Sequence, residues 1–94
     1  MAGYWVVKVR VTDAAAYGAY AKLASEAVAK YGGRFLVRGG PATTMEGEDF
    51  PRNVVIEFPS VEQAHACYGS PEYKEALACQ EGAADRMFAV VEGV

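Results

Sequence analysis

Four short runs of alternating apolar and polar residues are parted by two stretches where apolar residues recur every third or fourth position. That order restricts this chain more than any other feature. From Tyr4 to Val11, Trp5, Val7, Val9 and Val11 point one way, and Tyr4, Val6, Lys8 and Arg10 point the other. Such a period of two seats one face on a core and leaves the other polar or shared. Arg34 to Arg38 reads as a second strand and Arg52 to Phe58 as a third, with Val54, Ile56 and Phe58 as its apolar face. Arg86 to Glu92 is the last strand, apolar on both faces.

The helical stretches carry their own start and stop signals. Asp13 is placed to cap a helix that runs to about Lys30, because its carboxylate accepts from free backbone N–H groups. Tyr17, Tyr20, Leu23, Ala24, Ala27, Val28 and Tyr31 recur along it at helical spacing, and Gly32-Gly33 ends it. Ser60-Val61-Glu62-Gln63 is a capping-box pattern opening a short helix to about Tyr68, where Gly69 stops it. Ser70-Pro71-Glu72 opens another helical piece, closed by Gly82. Residues 39–51 form a long connection with an acidic tip, Glu46-Gly47-Glu48-Asp49. Ala42 to Met45 within it is expected to continue as extended chain.

The order is therefore β-α-β-β-α-β with the second helix broken. It predicts one α+β domain over residues 1–94: a four-stranded antiparallel sheet with its helices on one face. The other face of that sheet stays bare. On it the alternation puts Tyr4, Val6, Lys8, Arg10, Arg34, Leu36, Arg38, Asn53, Val55 and Glu57, with Phe88, Val90 and Glu92 joining them. Here composition matters. At 94 residues the chain is 52% apolar, slightly rich for a core so small, and the surplus is best placed between subunits. The expected partner is a second copy, stacked face to face as a homodimer.

Charge and motifs exclude several classes. A net charge of −3 argues against nucleic acid, which demands a basic stripe. No apolar run approaches the roughly 18–20 residues that span a bilayer, so no membrane role is expected. The N-terminus enters a strand pattern without a basic and then apolar leader, so a cytoplasmic location is expected. Cys67 and Cys79 read as small apolar residues. His65 is the only histidine and belongs to no metal-ligand cluster. Gly39-Gly40-Pro41 lacks the Lys-Ser/Thr of a phosphate loop, and no cofactor is expected.

Several segments together resemble one family. They are Gly32-Gly33-Arg34-Phe35-Leu36-Val37-Arg38-Gly39-Gly40, Glu46-Gly47, Val54-Val55-Ile56-Glu57-Phe58-Pro59-Ser60 and Tyr68-Gly69-Ser70-Pro71-Glu72-Tyr73. The opening Tyr4-Trp5 strand and the closing Val90-Val91-Glu92-Gly93 fit the same pattern. Over nearly the whole chain they are similar to the bacterial domain of unknown function 1330, in the dimeric α/β-barrel superfamily. The resemblance implies a ferredoxin-like fold and a face-to-face dimer. It implies no reaction. Superfamily relatives include cofactor-free monooxygenases, dehydratases and lactone isomerases that use a pocket between sheet and helices, which is analogy between folds. Cys67 departs from the larger, often aromatic, residue expected there, and its small side chain is expected to enlarge a local pocket.

Five residues are candidates for a site. Arg38, at a strand end beside Gly39-Gly40, is placed to hold a carboxylate or enolate oxygen of a substrate; the alternative is an ion pair with Glu57 or Glu46. Glu57 and His65 are the candidate catalytic proton-transfer groups. Against them stand pairing of Glu57 with Arg38 or Arg10, and a surface position for His65. Tyr68 and Tyr73 are candidates for substrate contact at a pocket mouth, whereas Ser70 is accounted for by capping. Two functions remain open. One is binding, or cofactor-free conversion, of a small organic acid or carbonyl compound in the sheet–helix cleft. The other is a non-catalytic binding or structural dimer, its cleft filled by Tyr17, Tyr20 and Trp5 and its charges spent in packing.

Overall fold

The alternation of the first strand is an alternation of burial. Trp5 and Val9 are sealed from solvent while Val6 and Lys8 between them are exposed. A computed structural model describes all of residues 1–94. The elements run β1 (Gly3–Val11), α1 (Ala14–Lys30), β2 (Arg34–Arg38), β3 (Arg52–Phe58), α2 (Val61–Tyr68), α3 (Pro71–Gln80) and β4 (Ala84–Glu92). The strands form one sheet in the order β2-β3-β1-β4, and every neighbouring pair is antiparallel. This is the ferredoxin-like arrangement, with the broken second helix resolved into α2 and α3.

The helix boundaries obey their caps. Asp13 accepts from Ala16 N, Ser60 from Gln63 N and Ser70 from Tyr73 N, each at 3.1 Å. The capping box at Ser60 is only half made, since the Gln63 side chain does not bond back to Ser60. α1 packs against α3 above the sheet, and α2 is tied down by the Trp5 indole, which donates to Ala64 O at 3.0 Å. The core between these layers joins Trp5, Val7, Val9, Val54, Ile56 and Phe58 from the sheet to Tyr17, Tyr20, Ala24, Val28 and Tyr73 from the helices. Cys67 is wholly buried in that core, on the inner side of α2. Residues 39–51 contain no strand, so the expected extended segment at Ala42 to Met45 is not paired.

Two strands present different faces from those expected. In β2, Phe35 pairs with Ile56 but Val37, not Leu36, pairs with Val55, so Leu36 is the extra residue of a bulge. A bulge shifts the parity of everything after it. Arg38 thereby pairs with Val54, on the helix side, and leaves the bare face to which simple alternation assigned it. In β4, the register sets Val90 beside Trp5 and Phe88 beside Val7, both on the core face. Phe88 and Val90 therefore pack inward, while Met87, Ala89 and Val91 face outward opposite Lys8, Val6 and Tyr4. The bare face thus carries exposed Val6, Leu36, Val37, Met87 and Val91.

Candidate functional site

The bulge and the register bring three arginines to the helix side of one end of the sheet. Val9 of β1 pairs with Arg52 of β3 on one side and with Arg86 of β4 on the other, so both arginines share the core face that Val9 occupies. Arg38 lies one row further along, beside Val54. Above them α1 contributes Tyr17, Tyr20, Ala21, Lys22, Ala24 and Ser25. Between the layers is a cleft of about 270 Å³. Ten of its fourteen lining residues are hydrophobic, including Trp5, Phe35, Ile56 and Phe88. Its charged lining is wholly basic: Lys22, Arg38 and Arg52, with no aspartate, glutamate or histidine. In a chain of net charge −3 this is a local inversion of sign.

None of these arginines is paired with a carboxylate; the four ion pairs of the molecule all lie elsewhere. The Arg38 guanidinium carbon lies 3.6 Å from the Phe35 ring centroid, and Nη2 donates to Ser25 Oγ at 3.2 Å. A cation–π contact holds the guanidinium without using its N–H groups, so most of its donors stay uncommitted. Arg52 lies against the backbone at Gly39. A Cβ built on Gly39 would stand 2.9 Å from Arg52 Cζ, and the residue has a positive φ of 68°. Only glycine satisfies both conditions. The sequence places glycine there for a ligand's approach; the structure gives the space to Arg52. Arg52 Nε is buried without a hydrogen-bond partner.

Arg86 sits behind the lining, its guanidinium over the Tyr20 ring at 4.8 Å and the Phe88 ring at 5.3 Å. Nη2 donates to Tyr73 Oη at 3.1 Å, and Nη1 is buried without a partner. Tyr73 Oη in turn lies 2.7 Å from Tyr20 Oη. Burial pushes the Tyr73 phenol far up from its ordinary value and raises that of Tyr17 as well, so both remain protonated through neutral pH.

The five residues singled out by sequence do not converge. Arg38 lines the cleft. Tyr73 is wholly buried behind it and reaches it only through Tyr20. Tyr68 packs its ring on Phe88 and Tyr73 at centroid distances of 5.0 and 5.3 Å, outside the lining. His65 is exposed on α2. Glu57 is on the opposite side of the sheet, where it accepts from Arg34 Nε at 2.7 Å and Tyr4 Oη at 3.1 Å. Those two donors, Arg34 first, hold its carboxyl below the usual carboxylate range. The alternative of an ion pair between Arg38 and Glu57 is not formed, because the bulge at Leu36 separates them by the thickness of the sheet. Cys67 lines neither this cleft nor the groove beneath the 39–51 connection. Burial raises its thiol pKa to about 12.

Sequence reasoning passed over Arg52, Arg86, Tyr17 and Tyr20 as site residues. The signal was present for the arginines. Arg52 has the parity of Val54, Ile56 and Phe58, and Arg86 that of Phe88 and Val90, so each is a charge on a core-facing position.

The sequence pattern of a family described as domain of unknown function (DUF1330) matches residues 2–94. No curated protein matches the chain. Among solved structures, one similar fold is a protein of unknown function from Rhodopseudomonas palustris, with a TM-score of 0.81 and 21% identity over 99% of this chain and 82% of that one. A dimeric protein of unknown function and ferredoxin-like fold from Bacteroides fragilis has a TM-score of 0.66 and 13% identity over 98% of this chain and 96% of that one. A cofactor-independent oxygenase from Streptomyces nogalater has a TM-score of 0.65 and 11% identity over 99% of this chain and 93% of that one. At these identities the likenesses establish the fold alone. No helix is long and apolar enough to cross a membrane.

Proposed function

The chain belongs to the family of domain of unknown function DUF1330, and from that premise we propose that it binds a small, largely apolar organic anion in the sheet–helix cleft. One observation carries this reading. Arg52 lines an apolar cleft with a buried N–H that nothing in the protein accepts, beside Arg38 and Lys22 and with no carboxylate present. A buried N–H left without an acceptor costs about 1–3 kcal/mol, and an anion that enters the cleft and accepts from it relieves that cost. The apolar walls select for an organic body on the anion. The volume lies just under the roughly 300–1,000 Å³ of drug-sized sites, which suits a small metabolite. Arg38 offers a planar pair of donors of the kind that grips a carboxylate or enolate.

Besides the arginines, the cleft's proton-bearing side chains are Tyr17, Tyr20, Lys22, Ser25 and Trp5, the last two already donating to Ala21 O and Ala64 O, and no carboxylate or imidazole lines it to act as a base. Binding is therefore the better supported role, and the likeness in fold to a cofactor-independent oxygenase is support for a cofactor-free reaction only by analogy. The proposed assembly is a homodimer through the bare sheet face. Exposed Val6, Leu36, Val37, Met87 and Val91 favour it, as does the dimeric state of the Bacteroides fragilis protein.

A thermal-shift screen of small aromatic and aliphatic carboxylates against their methyl esters tests the reading. An anion that binds only the native state raises the melting temperature in proportion to its affinity. Acids are expected to stabilise the protein and the neutral esters are not, and Arg52→Leu is expected to abolish the difference. Equal shifts for acid and ester, or none for any acid at millimolar concentration, would refute it.

A further inference from the structure

Three elements meet in one chain of hydrogen bonds: Arg86 of β4, Tyr73 of α3 and Tyr20 of α1. Its direction is determined by what each group can do. A guanidinium has donors only, so Tyr73 Oη must accept from Arg86. The hydroxyl hydrogen of Tyr73 then has one acceptor within reach, Tyr20 Oη at 2.7 Å. The reverse order would strand that hydrogen in the core, since Tyr73 has no exposed surface. Tyr20, by contrast, lines the cleft. With its oxygen accepting from Tyr73, its own hydrogen has no acceptor in the protein, and the cleft is where an acceptor can enter.

Resting on the cleft reading above, we propose that Tyr20 donates this unspent hydrogen to a negatively charged oxygen of the bound ligand, and that Tyr73 and Arg86 are positioning residues that orient it. A cation at the far end polarises each bond of the chain in the same sense, which strengthens the last donor. The ligand class narrows accordingly to molecules whose charge resides on an enolate or phenolate oxygen that one strong donor can single out, with the arginines supplying the surrounding positive field.

4-Nitrophenol is a suitable probe, because its absorbance reports ionisation of its oxygen directly. Bound to the wild-type protein, it should ionise at lower pH than free in solution. Tyr20→Phe, which keeps the ring and removes the donor, should raise the bound midpoint by about one pH unit, a tenfold loss of preference for the phenolate. Tyr73→Phe should raise it by a smaller amount, and only while the Tyr20 hydroxyl is present, so the double variant should match Tyr20→Phe. Equal midpoints in wild type and Tyr20→Phe, with the probe still bound, would overturn the role of Tyr20 and leave the cleft reading standing. Additive shifts in the double variant would overturn the relay through Tyr73. Failure of the wild-type protein to bind 4-nitrophenol at millimolar concentration would count against the cleft itself, and the proposal would fall with it.

Discussion

The two faces of the sheet handle charge in opposite ways. On the bare face, charges have partners: Arg34 and Tyr4 donate to Glu57, Arg10 pairs with Glu48 and Asp85, and Lys8 donates to Asn53. On the helix face, Arg38, Arg52 and Arg86 stack on aromatic rings and have no carboxylate partner at all. Solvent can satisfy an exposed arginine at little cost, so pairing on the bare face says little about role. On the helix face Arg38 reaches solvent, but Arg52 Nε and Arg86 Nη1 are buried without an acceptor, which no donor on the bare face is, and the proposed anion binding rests on that difference.

The strongest way to break this contrast is to remove the floor on which the cleft is built. Trp5 is 1% exposed, touches Phe58, Tyr73 and Phe88, and anchors α2. Trp5→Ala should cost about 3–5 kcal/mol in urea unfolding, as large-to-small changes in cores do. A cost below about 1 kcal/mol would mean that the two layers are held from elsewhere.

Leu36 probes the other face. It is exposed on the bare face, and Leu36→Asp should leave the subunit folded while raising the dimer dissociation constant by a factor of at least about ten, read by sedimentation. An unchanged sedimentation profile would remove the bare face from the interface. If the wild-type protein itself sediments as a single subunit at micromolar concentration, the dimer is refuted outright.

The arginines give the sharper comparison. Arg52→Leu orphans no carboxylate and removes a buried unmatched N–H, so stability should stay within about 1 kcal/mol of wild type or rise. Affinity for an organic anion should fall by about tenfold or more. A loss of several kcal/mol in stability would show that Arg52 is a structural pair after all.

The smallest effect concerns pH. The folded-state pKa of Glu57 is depressed by its bonds from Arg34 and Tyr4, so the group adds stability above the ordinary carboxylate range and loses it as pH falls through its lowered value. Glu57→Gln should flatten the fall in melting temperature across that acid limb. It should leave anion binding in the cleft untouched, because Glu57 is on the far side of the sheet. A parallel fall in both proteins would assign the acid limb to Glu72 instead, whose pKa is lowered in the same way by Lys30.

Much of the fold was legible because its signals are local. Asp13, Ser60 and Ser70 cap where their short polar side chains say they should, and the alternation of Trp5, Val7 and Val9 names the buried face without reference to any other strand. Of the residues lining the candidate cleft, only Arg38 was singled out from sequence, and its face was misassigned. Arg52 and Arg86 looked like ordinary strand-end charges until their parity was compared with that of their neighbours.

The amino-acid sequence by itself determined the element order, the caps and the apolar face of β1 and β3, since each depends on residues within a few positions of one another. The tertiary structure alone decided that Leu36 bulges, that Arg38 crosses to the helix side, and that β4 turns Phe88 inward and Met87 outward. Those outcomes depend on which residue lies opposite which across hydrogen-bonded strands. A one-residue shift in that pairing reverses every side chain beyond it, and nothing in the local pattern of β2 or of the doubly apolar β4 distinguishes one register from the next.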